Sequence, residues 1–198
     1  MFKHSMTRNH ARILGFFAAL ALSAPASASG SGSDPVAASI ATPAPAVKSA
    51  TQPGNPYRRA GMWIWYVNAS EGGNVSRIIS RAKRARIGTL YIKSGDGTSV
   101  WSQFTPALVK RFQQAGLKVC GWHYVYGRNP VGEAKVSAVA KRRGADCFVI
   151  DAETEYEGNY SGADRYIRKL RQLVGPRFRL SLSTFPYVHY HPGFPYSV

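Results

Sequence analysis

The stretch "FVIDAETEYEG", residues 148–158, joins a short apolar run to four carboxylates at alternating positions. These are Asp151, Glu153, Glu155 and Glu157, four of the 10 acidic residues in a chain that has 26 basic ones. An apolar run bounded by polar residues is typical of a strand that is buried on both faces and emerges at its C-terminal end. The stretch therefore predicts a parallel strand with functional carboxylates at its C-terminal end.

Outward from this stretch, the chain alternates between apolar runs and amphipathic segments. The predicted strands are residues 61–67, 87–95, 117–127, 145–153 and 177–185. The predicted helices between them are residues 74–86, 104–116, 131–144 and 162–175. This order predicts an α/β fold whose mostly parallel sheet is covered by helices.

A doubly wound sheet and a (β/α)8 TIM barrel both fit this order. Polar and aromatic residues follow each strand, as at Trp65, Lys93, His123 and Asp151, and in a barrel all these strand ends share one mouth. No glycine-rich phosphate loop follows the first strand, which argues against a nucleotide-binding doubly wound fold. We therefore expect a TIM barrel of which this chain covers about strands 1–5, a C-terminally truncated fragment; the alternative is a short open sheet.

The N-terminal part of the chain has a different composition. Residues 1–28 combine basic residues, the apolar run "ILGFFAALAL" and a small-residue site, which predicts a signal peptide. Residues 29–59 are rich in Ala, Ser and Pro, which predicts a disordered linker. The folded domain is then expected over residues 60–198, in a protein that is secreted and extracellular or associated with the cell wall.

The charge of the chain bears on its partners. The formal net charge is +16, and outside a cell a basic surface favours anionic wall polymers. A solvated basic surface without a partner is the alternative. No nucleic-acid motif is visible, so no nucleic-acid partner is predicted, and no membrane span is predicted once the signal peptide is removed. The two cysteines, Cys120 and Cys147, fall on neighbouring predicted strands and fit either a disulfide or two buried thiols.

The carboxylates suit general acid chemistry on a glycosidic bond. If the strand stays extended, Asp151, Glu153 and Glu155 lie on one side, with successive backbones about 6.7 Å apart. Their carboxyl groups can then approach to roughly 5–9 Å, the range that glycosidases use. Like charges at that distance raise the pKa of at least one group, so that one carboxyl holds a proton while its neighbour is ionised. Glu157, beside Gly158, reads as an ordinary loop residue.

Three segments in order, "TLYIKSGDG", "AGLKVCGWHYVYG" and "GADCFVIDAE", resemble glycoside hydrolase family 25, the lysozyme-like muramidases. The family has a strand ending in Ile-Lys-Ala-(Ser/Thr)-x-Gly, then a Gly-x-Tyr-His-Phe-type strand and an Asp-x-Glu strand. The resemblance runs from about residue 88 to residue 153. It implies a TIM-barrel glycosidase in which Glu153 is the general acid and Asp151 assists it. Glu155 is a second candidate for base or nucleophile.

Other side chains at the strand ends fit a sugar site, where flat aromatic surfaces stack on pyranose rings. The predicted substrate-binding residues are Trp65, Lys93, Asp96, His123, Tyr124, Tyr126 and Tyr187. The predicted function is a secreted glycoside hydrolase that cleaves peptidoglycan or another polysaccharide and needs no cofactor.

Two alternatives come from other classes of protein. The first is a non-catalytic module that binds glycan or cell wall, favoured because "GMWIWYVNAS" places no acid near the end of the first strand. The second is a metal-dependent hydrolase that uses His189 and His191, two residues apart, together with Asp151 or Glu153.

Overall fold

A computed structural model describes residues 54–198. The predicted signal peptide and residues 29–53 of the predicted linker lie outside the described residues. Within the described part, Pro56 is buried, and its carbonyl accepts a hydrogen bond from the hydroxyl of Thr89. The chain therefore contacts the sheet from Pro56 onward, while the linker boundary at residue 59 stays a prediction.

Six strands form one sheet. They are β1 (Gly61–Ile64), β2 (Thr89–Asp96), β3 (Ser99–Val100), β4 (Lys118–Val125), β5 (Cys147–Ala152) and β6 (Arg179–Ser183). The order across the sheet is β1-β2-β4-β5-β6, all parallel, and β3 pairs with β2 in the antiparallel sense. The predicted α/β fold with a mostly parallel sheet is confirmed. The two-residue strand β3 was not predicted; it folds back after a turn at Gly97, whose φ of 52° suits glycine.

Four α-helices connect the parallel strands. They are α1 (Val75–Arg84), α2 (Pro106–Gln114), α3 (Pro130–Arg142) and α4 (Tyr160–Val174). Each begins after a residue whose side chain accepts a hydrogen bond from a backbone N–H of the first turn, which satisfies one of the unpaired donors there. These N-cap residues are Asn74, Thr105, Asn129 and Asn159. Among residues 54–198, no helix is both long and apolar enough to cross a membrane.

The strand order is consistent with a barrel-like fold. Successive parallel strands lie side by side without a reversal of direction across the sheet. Because such crossovers are right-handed, an order without a reversal places all the connecting helices on one face, as in a barrel and unlike a doubly wound sheet. Across the described residues, β1 and β6 remain the two ends of the sheet, so a closed ring of eight strands is not shown.

Helix α3 lies close against the middle of the sheet. A Cβ atom added to Gly121 would stand 2.7 Å from the Cβ of Ala140, and one added to Gly95 would stand 2.6 Å from Val136. These two glycines therefore allow the helix to approach β4 and β2. The main core lies in this layer, where Ile92 and Phe148 are fully buried.

The opposite face of the sheet carries a disulfide. Cys120 of β4 and Cys147 of β5 are register partners, their Cα atoms are 4.5 Å apart, and their sulfurs are bonded. Both residues are fully buried. The alternative of two free thiols is therefore wrong, because the parallel register places the two side chains directly beside each other on one face.

Candidate active site

The sheet face opposite the helices is named here the open face. At its C-terminal edge, four side chains form a row of register partners: Asp96, Tyr124, Asp151 and Ser183. A second row of register partners lies on the same face, closer to the N-terminal ends of the strands: Lys93, Trp122, Val149 and Ser181. Because side chains alternate between the two faces of each strand, these polar and aromatic groups lie on one surface. This surface is at the C-terminal ends of the strands, where active sites of parallel α/β folds are found.

Asp151 occupies the centre of the upper row and has an altered acidity. Burial, and next the negative charge of Glu153, raise its pKa to about 6. A hydrogen bond with Ser183 and the positive charge of Lys93 act in the opposite direction but are outweighed. Asp151 therefore keeps a proton in mildly acidic solution, where an ordinary aspartate is ionised.

Tyr124 links the carboxylates. Its hydroxyl donates a hydrogen bond of 2.8 Å to Oε2 of Glu155. Its pKa is raised by burial, then by the hydrogen bond to Glu155, and further by the charges of Glu153 and Asp151. Tyr124 thus contacts Glu155 directly, has Asp151 as its register partner, and is affected by the charge of Glu153.

The route by which these carboxylates meet differs from the prediction. The strand does not stay extended through Glu155, because β5 ends at Ala152 and a 3-10 helix covers Thr154–Tyr156. The side chain of Tyr156 is buried, which draws the chain into this turn. Glu153 and Glu155 are exposed and lie on this turn rather than on one side of a continuous strand; Glu153 acts on Asp151 through its charge, and Glu155 contacts Tyr124.

Lys93 is enclosed by tryptophans. Its ammonium lies 4.0 Å from the ring centroid of Trp65, 4.6 Å from Trp101 and 4.8 Å from Trp122. Its side chain is only 1% exposed, and it forms an ion pair with Asp96. Cation–π attraction and this pairing compensate the loss of hydration, so that a buried positive charge stands below the carboxylates.

Asp96 and Tyr126 complete the upper edge. The Tyr126 hydroxyl donates to Oδ1 of Asp96 over 2.9 Å, and this hydrogen bond is the main reason that the pKa of Tyr126 is raised. The rings of Tyr124 and Tyr126 meet edge to face with centroids 5.0 Å apart. Two tyrosine–carboxylate pairs therefore stand side by side, and five of the predicted substrate-binding residues, Trp65, Lys93, Asp96, Tyr124 and Tyr126, lie in this one region.

His123 does not join them. It points to the helix side of β4, is fully buried, and contacts the Ser137 hydroxyl through Nδ1 (2.7 Å) and the Gly97 carbonyl through Nε2 (2.8 Å). Burial lowers its pKa to about 4, so it is neutral near pH 7. The period of two in β4 explains the position, since Trp122 and Tyr124 occupy the open face. His123 supports the fold behind the site and has no path to a ligand on the open face.

The C-terminal aromatic segment lies apart from this group. Tyr187 is 60% exposed, and its ring contacts those of His189 and Tyr190. His191 stacks on Phe185 and bonds Oε1 of Glu157 through Nδ1 at 2.8 Å. Among residues 54–198, no three His, Cys, Asp or Glu side chains are grouped as metal ligands, so the geometry gives no support to a shared site at His189 and His191.

Two residues that hold the strand ends of the site in place were not predicted from the sequence. The amide of Gln103 donates to the carbonyls of Trp65 (2.7 Å) and Lys93 (2.9 Å), which ties the ends of β1 and β2 together. Glu133, in the first turn of α3, is buried and accepts hydrogen bonds from the backbone N–H groups of Tyr126 and Gly127. Nothing distinguished them in the sequence, since Gln103 stands in a polar loop and Glu133 resembles an ordinary acid at a helix start.

Comparisons with known proteins give similarity in fold alone. No family model matches the chain, and no curated protein matches it. Among solved structures, the modular autolysin LytC from Streptococcus pneumoniae superposes with a TM-score of 0.51 at 10% sequence identity, over 69% of this chain and 34% of that one. The catalytic domain of the endolysin ply40 from bacteriophage P40 of Listeria monocytogenes gives a TM-score of 0.43 at 18% identity, over 54% of this chain and 56% of that one. The chain thus spans about half of the endolysin domain and a third of the autolysin.

Proposed function

We propose that this chain is a glycoside hydrolase domain that cleaves glycosidic bonds of peptidoglycan or another wall polysaccharide. The observation that carries the proposal is the cluster of Asp151, Glu153 and Glu155 around Tyr124 at the C-terminal edge of the sheet. Hydrolysis of a glycosidic bond needs one protonated and one ionised carboxyl group on either side of the bond. The fold shared with a modular autolysin agrees with this proposal.

In the proposed reaction, Glu153 donates a proton to the leaving oxygen as the bond from that oxygen to the anomeric carbon breaks. Glu153 is exposed and can reach a bound sugar, whereas Asp151 is half-buried beside it and coupled to it by charge. Asp151, whose pKa is raised to about 6, holds a proton beside Glu153 in mildly acidic solution and passes it to that carboxylate. Once ionised, Asp151 stabilises the positive charge that develops on the sugar.

Glu155 is assigned the second role, as base toward water or as nucleophile at the anomeric carbon. The hydrogen bond from Tyr124 fixes the direction of its carboxylate. The exposed rings of Trp63, Trp65 and Tyr66 continue the surface from this cluster along β1 and offer flat faces for neighbouring sugars.

The test is the release of reducing ends from purified cell-wall glycan. We expect Glu153→Gln to lower release by roughly 10²–10⁴-fold, the usual contribution of general acid catalysis, and Asp151→Asn to lower it less. The matched control is Asp164→Asn, which neutralises an exposed carboxylate on α4 and should leave the rate unchanged. Unchanged release by the Glu153→Gln protein would rule out the proposed acid.

A glycan-binding module without catalysis is the second candidate. It is favoured by the end of β1, where residues 61–70 supply three exposed aromatic rings but no carboxylate. This candidate predicts saturable binding to wall glycan that survives in the Asp151→Asn, Glu153→Gln double variant, with no reducing ends released by the unaltered protein. Binding that needs Trp65 but none of the carboxylates would support it.

A further inference from the structure

The N-terminal edge of the sheet, opposite the carboxylate cluster, carries two adjoining clefts. One, of about 600 Å³, is bordered by Arg59, Lys83 and Arg86. The other, of about 520 Å³, is bordered by Arg58, Arg59 and Lys118. The clefts share Arg59 and Gly116, and together they are named here the basic cleft.

Apart from Lys118, the basic residues that border the basic cleft have no acidic partner among the described residues. Arg58, Arg59, Lys83 and Arg86 are exposed, and within residues 54–198 none of them has a carboxylate oxygen within the 4.0 Å of an ion pair. Asp146 is the acid of the described residues at this edge, and it is bound by Lys118 at 2.9 Å. Most other described acids lie at the opposite edge, so the charge of the domain is segregated along the strands.

Arg86 holds a backbone conformation that favours glycine. The ends of α1, α2 and α3 have the same pair of hydrogen bonds, in which the residue after the C-cap takes a positive φ. That residue is Gly116 after α2 (φ 83°) and Gly144 after α3 (φ 90°), but Arg86 after α1 (φ 54°). A side chain in this region is disfavoured, and here the strained residue projects into the basic cleft.

Arg59 is also accommodated by a glycine. A Cβ atom added to Gly88 would stand 2.5 Å from both Cβ and Cδ of Arg59, so the arginine stem lies directly across Gly88. The stem is therefore held in place while the guanidinium stays exposed at the junction of the two clefts. Both arginines are thus positioned by the backbone rather than by acidic partners.

We propose that the basic cleft binds a flexible polymer of phosphodiester groups. Two arginines and a lysine border one cleft, and a phosphodiester stays ionised and presents two free oxygens that match the guanidinium fork. The adjoining second cleft continues the cationic surface, which suits successive phosphates of a chain rather than one small anion. This site is separate from the carboxylate cluster and does not depend on the proposed hydrolysis.

The experiment measures binding of purified poly(glycerol phosphate) to the full chain by titration calorimetry at several salt concentrations. The Arg59→Gln, Arg86→Gly double variant is expected to bind at least about threefold more weakly at low salt. This is the loss expected when two exposed ion pairs between the protein and the polymer are removed. Its plot of log Kd against log salt should be less steep by roughly 0.7 for each removed cation. Arg86→Gly relieves backbone strain, so that single variant is expected to fold, and its denaturant unfolding, measured alongside, separates a loss of binding from a loss of stability.

The matched control is Lys135→Gln, Arg165→Gln, which removes two exposed cations from helix surfaces away from the basic cleft. Equal loss of affinity in the control and the cleft variant would overturn the site, since the attraction would then be that of the whole surface. No binding of the polymer, or binding of phosphatidylglycerol vesicles or of polygalacturonate in its place, would also overturn it. Glu153→Gln should bind the polymer like the unaltered chain, which separates this result from the test of hydrolysis.

Discussion

The hydroxyl of Tyr124 donates a 2.8 Å hydrogen bond to Oε2 of Glu155, and this contact joins the end of β4 to the turn after β5. The two residues are not register partners in the sheet, because β5 ends at Ala152 and Glu155 lies beyond it. The bond therefore fixes where the exposed Glu155 carboxylate stands relative to Asp151. Removal of one hydroxyl tests whether that position matters.

Tyr124→Phe is expected to lower kcat on wall glycan about tenfold and to leave KM nearly unchanged. A hydrogen bond to a charged group contributes roughly 1.5 kcal/mol or more, and about 1.4 kcal/mol corresponds to a factor of ten in rate. Initial rates of reducing-end release measure the effect. Tyr160→Phe, which alters an exposed tyrosine at the start of α4, is the control. Equal rates for the two variants would show that Glu155 needs no such support.

Asp151 makes the stability of the domain depend on pH. Its pKa is about 6 in the folded state against an ordinary value of 3.8, so between these pH values the folded chain retains a proton that the unfolded chain has lost. The stabilisation is complete below about pH 4 and disappears as the pH rises through 6. Allowing for the solvent screening of a partly exposed group, it amounts to on the order of 1 kcal/mol.

Thermal unfolding measured from pH 3 to pH 8 tests this. The midpoint of the unaltered chain should fall relative to that of Asp151→Asn as the pH rises from about 4 to 6, and the difference should then stay constant. Asp164→Asn, on the exposed surface of α4, should follow the unaltered chain over this window. Parallel curves for the unaltered chain and Asp151→Asn would mean that the aspartate titrates normally.

Lys93 should influence Asp151 through its charge. The buried ammonium lowers the pKa of Asp151, so Lys93→Met is expected to raise that pKa above 6 and Lys93→Arg to change it less. Carbon-13 NMR titration of the labelled aspartate carboxyl measures the shift directly. Because the cation lies against Trp65, Trp101 and Trp122, the tryptophan emission should change in Lys93→Met as well. An unaltered Asp151 titration with altered emission would confine Lys93 to a structural role.

The disulfide between Cys120 and Cys147 should stabilise the domain independently of the site. It closes a loop with a sequence separation of 27, for which chain entropy gives about 3–4 kcal/mol. Cys120→Ala, Cys147→Ala is therefore expected to lower Tm by roughly 10 °C. Each single variant should lose nearly as much as the double one, since either change removes the same bond. Single losses that sum to the double loss would indicate packing rather than the cross-link.

The sequence predicted those parts of the fold and candidate site that depend on local patterns. Apolar runs located the five parallel strands. His123 and Tyr124 were both predicted as substrate-binding residues, whereas the period of two within β4 places them on opposite faces. What could not be foreseen depends on distant contacts. Burial of Tyr156 ends the extended conformation before Glu155, and the tryptophans around Lys93 meet only when β1, β2 and β4 are assembled. The disulfide likewise required the register of two strands.

Arg86 gives a last prediction, in which loss of a charged side chain stabilises the protein. Its φ of 54° is the conformation that Gly116 and Gly144 adopt at the ends of α2 and α3. Arg86→Gly should therefore raise the free energy of unfolding by roughly 0.5–1 kcal/mol, the strain of a side chain in this region less the added entropy of glycine in the unfolded chain. Gly116→Ala, the reverse change at the matching position, should lower it. Denaturant unfolding measures the free energy of unfolding of both variants. A less stable Arg86→Gly protein would show instead that the guanidinium stabilises the cleft.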